Sequence, residues 1–283
     1  MILEYFMIEV VVSNEKIRLP SFVGSKLRGA FGNALKKRLC LSKERCLSSQ
    51  TLKCVFPVKC PYYSIFAKDN ITHPYRIETN LNPENLNMKF YLFGLEFEHL
   101  LADIAHALYD LYEIEGIDHG KNKIFPKVLS MRCNGVIIYE DNIFDFDGVI
   151  PIKKEIADYH KNILVTVETP LNIRHKGKIT DTLPPFYRIV NSAHSILNNH
   201  IKNLQSLDKK VEGDIVTHNI INNDTMCFSN FEKKHRKLKG YLSIFRVNDV
   251  DERSYQILKL AEITGIGGHV SYGYGKIKVE GIV

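Results

Sequence analysis

Along the chain, extended and helical hydrophobic patterns follow one another in an order that occurs twice: strand, helix, strands, helix, strand. Residues 2–12 put Ile8, Val10 and Val12 on one face and read as a buried strand. Pro20 and Ser21 open a helix in which Val23, Leu27, Ala30, Phe31, Ala34, Leu35 and Leu39 recur every three or four residues. Strands are expected at 61–67, 74–79 and 88–97. A helix follows at about 98–114, with Leu100, Leu101, Ile104, Ala105, Leu108 and Leu111 inward, and strands at 124–132 and 135–140 close the half. The second half repeats the order: strand 161–170, then helix 185–206 with Phe186, Ile189, Val190, Ala193, Leu197 and Ile201 inward. Strands at 225–231 and 238–247, a helix at 252–264 and a strand at 274–282 complete it. Two such copies predict an α+β chain of tandem ferredoxin-like (βαββαβ) domains, the first carrying a cysteine-bearing insertion at 40–60. The acidic, turn-rich DNIFDFDG sets the break, giving domains of 1–142 and 143–283. Length by itself also suits one larger α+β domain.

With 45% hydrophobic and 25% charged residues among 283, the composition is that of an ordinary globular protein. Lys and Arg exceed Asp and Glu by 38 to 32, so the net charge of +6 is mild and its distribution matters more than its sum. The N-terminus reads as a strand and not as a signal peptide, and no stretch approaches the roughly 20 apolar residues of a membrane span. A cytoplasmic, membrane-free protein with reduced cysteines is expected.

Gly24, Gly29 and Gly32 each cost about 1 kcal/mol against Ala inside the first helix, so some group is expected to approach its backbone closely. A second glycine cluster, GIGGHVSYGYG at 265–275, lies between the last helix and the last strand. Gly265, Gly267, Gly268, Gly273 and Gly275 permit positive φ and can leave amides open to a phosphate chain. The alternative is a turn that only lets helix and strand pack. A dinucleotide fold is disfavoured, because there the glycines follow a strand and precede a helix.

Basic residues cluster three times: Lys36, Lys37, Arg38, Lys43 and Arg45; Arg174, His175, Lys176 and Lys178; Lys233, Lys234, His235, Arg236, Lys237 and Lys239. Each is either a solvated face or a set of phosphate contacts; the second, beside a strand end, and the third, in a turn-like stretch before a strand, suit phosphates. Tyr187, after the second cluster, and Tyr272 and Tyr274, in the glycine loop, are candidates to stack on unpaired bases, or core or interface residues. Cys40, Cys46, Cys54 and Cys60 are separated by five, seven and five residues, looser than a zinc knuckle. They read either as a structural zinc site or as buried and free thiols.

Four segments resemble the repeat-processing endoribonucleases of the RAMP superfamily of CRISPR proteins. These are the glycine loop before the last strand, VGSKLRGAFGNALKKRLC (23–40), CPYYSIF (60–66) and ETPLNIRHKGK (168–178). The second is similar to the family's first helix, the third to the strand after its cysteine insertion, and the fourth to the start of its second domain. The resemblance implies a protein that binds CRISPR repeat RNA in a precursor and cuts it without a catalytic metal. A ribose 2′-hydroxyl attacks the adjacent phosphate, leaving a 2′,3′-cyclic phosphate and a 5′-hydroxyl. Such chemistry needs a proton acceptor, a proton donor and cations for the phosphorane.

Better-known members often carry a histidine at or just after the first helix, where this chain has Asn33 and no histidine from 34 to 72. The catalytic candidates are therefore His175 and His269 for proton transfer, and Lys26 and Arg28 for charge. The RNA-binding candidates are the five loop glycines with Arg174, Lys176, Lys178, Lys234, Arg236 and Lys237. The partners implied are repeat RNA and subunits of a CRISPR effector complex, with a monomer or homodimer as the state. A non-catalytic RNA-binding subunit of such a complex is the alternative.

Overall fold

The computed structural model describes residues 1–13, 23–40, 60–67, 72–81, 85–119, 122–175, 178–179, 182–207, 211–223, 225–229 and 234–282. Tyr5–Ile152 form one compact unit, and Met1–Glu4 with Lys153–Val283 form another. The sequence reading drew its division at 142/143.

In the unit Tyr5–Ile152, β1 (Ile2–Ser13) leads to α1 (Gly24–Leu39), β2 (Tyr75–Leu81), β3 (Asn85–Phe93), α2 (Leu101–Asp110), β4 (Val128–Cys133), β5 (Val136–Glu140) and β6 (Ile143–Phe144). The strands lie in the order β2-β3-β1-β4-β5-β6, each antiparallel to its neighbour. The first four make the ferredoxin-like sheet order, with β5 and β6 added at the edge. Alternation in β1 turns Phe6, Ile8, Val10 and Val12 to the helical face, where Ile8 stands opposite Phe90 and Val10 opposite Met88. α1 contributes Leu27, Phe31, Ala34 and Leu35 to the same core, and α2, packed against α1, contributes Leu101, Ile104, Ala105 and Leu108.

Two expectations are corrected here. Residues 61–67 are not a strand: Tyr63–Ala67 form a π-helical turn. Tyr62, Ile65 and Phe66 recur at helical spacing, and Tyr62 and Ile65 are buried by it. The helix expected at 98–114 is a 3₁₀ segment (Leu95–Leu100), α2 and a π-helical end (Leu111–Glu115).

The other unit holds β7 (Ile163–Leu171), α3 (Phe186–Leu197), β8 (Asp214–Asn222), β9 (Tyr241–Asn248), α4 (Glu252–Thr264) and β10 (Ile277–Gly281). Its sheet order, β8-β9-β7-β10, repeats the ferredoxin-like arrangement, and α3 packs against α4. Asp251 starts α4 by accepting from the Ser254 amide at 2.9 Å.

β8 was not expected. It is an edge strand exposed at most positions, so it shows no alternation to read. Thr225–Ser229 does not join the sheet but pairs with Lys234–Leu238 in a separate hairpin between β8 and β9. The third basic cluster therefore lies on a strand and not in a turn. α3 stops at Leu197, well before residue 206, where Asn198 and Asn199 favour a turn over helix. No described helix is long and apolar enough to cross a membrane.

Candidate nucleic-acid interface

The glycine loop is built for its own backbone. Gly265, Gly267, Gly273 and Gly275 have φ of 77°, 82°, 91° and 68°. A Cβ on Gly275 would stand 1.8 Å from the Ile266 carbonyl oxygen, and one on Gly267 2.5 Å from that of Asn172. The amides are spent internally. Gly265 donates to Ala261 O (2.8 Å), Gly273 to Val270 O (2.9 Å) and Gly275 to Pro170 O (3.0 Å). Gly267 donates to Ser192 Oγ (3.0 Å) and Gly268 to Asn172 O (2.7 Å). The expectation that these five amides stand open to phosphate is thus corrected, because the same groups tie loop to sheet and helix. What the loop turns outward is His269, in the left-handed region at φ 65°, exposed and stacked on Tyr272 with centroids 5.4 Å apart.

Asn172 joins this loop to the basic segments. Buried itself, it accepts from Gly268 N through its carbonyl and donates from Nδ2 to Lys239 O at 2.8 Å. On the near side of α3, Arg188 donates to Arg174 O at 2.9 Å. Segments 170–176, 186–192, 234–240 and 265–276 thereby converge, and none contains an acidic residue. Arg174, Lys237 and Lys239 are exposed there, and so is Tyr187. Tyr274 is fully buried and is a core residue. His175 and Lys178 face each other in register across a short hairpin, and Lys234 and Arg236 lie on the Lys234–Leu238 strand. The side chains of these four, and Lys176 altogether, lie outside the described residues.

A second cluster forms on α1 of the unit Tyr5–Ile152. An Arg28 guanidinium nitrogen lies 3.1 Å from His73 Nε2, and its central carbon stands 4.4 Å from the centre of the Phe66 ring. Gly32 makes this possible, since a Cβ there would sit 2.2 Å from a Phe66 ring atom. Tyr75 stacks parallel to Phe66 at 6.2 Å and flanks His73 at 5.5 Å. Burial, reinforced by the Arg28 charge, pulls the His73 pKa down to about 4, against a weaker opposite pull from the Ile65 backbone. Lys26 donates to the Asp118 carbonyl at 2.8 Å.

Sequence reasoning passed over His73, which stands one place beyond the histidine-free segment 34–72. A histidine before Pro74 at the head of a strand, after an aromatic-rich turn, was the available signal. The first basic cluster is engaged in ion pairs: Lys37 with Glu115, and Arg38 with Asp110 at 2.7 Å. Lys43 and Arg45 lie outside the described residues, as do Cys46 and Cys54. Cys40 is buried and Cys60 half-buried, and no group of three metal-ligating side chains occurs among the described residues. Cys133 is core, with burial pushing its thiol up to about 12.

Residues 3–143 match the family model AF_1859_N, described as an N-terminal domain. No curated protein sequence matches the chain. Among solved structures, a product complex of Thermus thermophilus Cas6 superposes with a TM-score of 0.62 at 11% identity, covering 98% of this chain and 99% of that one. A second Cas6 product complex gives 0.55 at 14% identity over 98% and 99%. A chain of a partial Cas6-RT-Cas1–Cas2 complex gives 0.57 at 11% identity, covering 99% of this chain and 46% of that one. At such identities the likeness is one of fold, and both ferredoxin-like units take part in it: the chain has the Cas6 fold, that of the RAMP proteins its motifs resemble.

Proposed function

We propose that this protein binds CRISPR repeat RNA and cuts it within the precursor. The observation that carries the reading is the convergence, around Asn172, of four segments bearing cations and no acidic residue beside the glycine loop. Phosphates bind such a surface through Arg174, Lys237 and Lys239, with Lys176, Lys178, Lys234 and Arg236, their neighbours in sequence, as further contacts. Tyr187 and the exposed His269 offer rings to unpaired bases. Solved Cas6 structures of this fold include product and substrate-mimic complexes, which supports RNA as the ligand.

The reaction is attack of the 2′-oxygen on phosphorus with loss of the 5′-oxygen. The proton leaves the 2′-OH for a base, and another reaches the departing 5′-oxygen. Lys26 and Arg28 are the candidates to offset phosphorane charge, and His175 and His269 the candidates to move protons. No catalytic metal is needed. A structural zinc on Cys40, Cys46, Cys54 and Cys60 is the alternative to four thiols there, decided by the metal content of the purified protein and of the quadruple Cys→Ser variant.

Asn33, exposed on α1 where relatives often carry histidine, favours a second reading, an RNA-binding subunit that does not cut. One experiment separates the two. Labelled repeat RNA is incubated with the protein in EDTA, beside RNA with a 2′-deoxy nucleotide at the cut site. Cleavage of the first alone establishes the nuclease, while binding without cleavage establishes the subunit.

A further inference from the structure

We infer that His73 is a proton-transfer group of the cleavage reaction, released for that role when an RNA phosphate draws Arg28 away from it. The inference rests on the nuclease reading above and assigns it a residue outside the set found from sequence. An arginine stays protonated, so in the 3.1 Å contact the guanidinium donates and His73 Nε2 accepts. The ring is therefore neutral, with the lone pair that a general base needs pointed at a cation. The Ile65 backbone acts on the same ring with a weaker, opposite pull, so the contact that sets this histidine apart is the cation at Nε2. Arg28 is the charged group acting on this ring, and Tyr75 and Tyr62 are the other titratable groups of the aromatic cluster around it.

A phosphodiester is the better partner for the guanidinium, because it offers two charged oxygens in the geometry of the fork. Once Arg28 turns to it, the phosphate lies within hydrogen-bonding reach of Nε2, where the attacking 2′-hydroxyl also stands. The same anion offsets the Arg28 charge, the smaller pull on the ring after burial, and its own negative charge moves the imidazole upward, toward the range suited to proton transfer. Among the described residues the approach along α1 is open. A Cβ on Gly29, beside Arg28 on α1, would meet nothing within 4 Å, and Asn33 one turn further is exposed. In the balanced step the 2′-OH proton goes to Nε2, the O2′–P bond forms and the P–O5′ bond breaks; a second donor protonates the departing oxygen.

The competing reading is that His73 only fills space between Phe66 and Tyr75. His73→Phe separates the two, because it keeps a stacked ring. The expected result is wild-type thermal stability and affinity for 2′-deoxy repeat RNA, with single-turnover cleavage at least ~100-fold slower. Cleavage by His73→Phe within about threefold of wild type would overturn the inference. A second readout survives a folding failure of that variant. In the wild-type protein, the NMR titration of the His73 ring should move up by about one pH unit or more when the uncleavable RNA binds. An unmoved titration with RNA bound also overturns the inference. Wild-type protein that binds RNA and cuts nothing overturns the nuclease reading first, and the inference with it.

Discussion

Gly32 and Phe66 occupy the same space: the ring of Phe66 lies where any side chain at Gly32 would begin, with one atom 2.2 Å from the position of a Cβ. Gly29, on the same helix, faces nothing within 4 Å. The two glycines should respond oppositely to alanine. Gly29→Ala gains helix propensity and should stabilise by about 0.5–1 kcal/mol. Gly32→Ala gains the same propensity but must displace a ring held by Arg28, Tyr62 and Tyr75, and should destabilise by about 1–3 kcal/mol. Urea denaturation of the two variants checks the sign of each.

Acid should weaken the fold through His73. Its ring takes a proton near 6.5 when unfolded and only at about 4 when folded. The stability tied to the neutral ring is complete above pH 6.5 and is lost as pH falls from there to about 4. Between pH 7 and pH 5 the wild type should lose on the order of 1–2 kcal/mol more than His73→Phe. Equal losses in the two proteins would show that this ring is not the group responsible.

The glycine loop should fail by sterics and not by loss of phosphate contacts. Gly275→Ala, with φ of 68° and a Cβ overlapping the Ile266 carbonyl, should cost several kcal/mol and unfold or loosen its unit, on the order of 3 or more. Gly268→Ala meets the Asn172 side-chain oxygen at 3.0 Å and its backbone oxygen at an ordinary 3.6 Å, and should cost about 1 kcal/mol or less. Thermal melts rank them. A Gly275→Ala protein that folds normally but has lost RNA would restore the open-amide reading.

Asn172→Ala leaves the Lys239 carbonyl without its donor in a partly buried bond, at a cost of about 0.5–1.5 kcal/mol. If the basic segments act as one surface, repeat-RNA affinity should fall too, although Asn172 carries no charge. Affinity unchanged in a folded Asn172→Ala protein would show that the Lys239 segment and the loop bind independently.

Lys237→Ala and Lys239→Ala should each weaken RNA binding and lower the slope of log affinity against log salt by about 0.7–1. Both substitutions leave the sheet pairing of β8 and β9 untouched. A slope equal to that of wild type would remove the residue from the phosphate path.

Much of the fold was legible because its signals are local. The α1 stripe from Leu27 to Leu35 and the α4 span Glu252–Thr264 follow from hydrophobic spacing alone. β8 was not, since a strand exposed on both faces carries no alternation, and Tyr63–Ala67 was misread because a short run of aromatics fits either period. At the candidate site, residue types singled out segments that the fold brings together, while their bonds stayed hidden. Which acceptor takes the Gly268 amide, or that Arg28 reaches a histidine 45 positions away, depends on pairings between distant strands and helices that no local pattern encodes.

The hairpin Thr225–Leu238 leaves the second sheet after β8 and returns at β9, two neighbouring strands, and its neck is pinned by the Asn223 amide on the Gly240 carbonyl at 2.9 Å. Its second strand is tied back at Leu238, whose carbonyl accepts from the Tyr274 hydroxyl at 3.4 Å. Residues added between Ser229 and Lys234 carry an entropic cost of about 0.6 kcal/mol per doubling of loop length. Lineages carrying this architecture can thus lengthen one hairpin at little cost in stability, with the rest of the sequence left as it is.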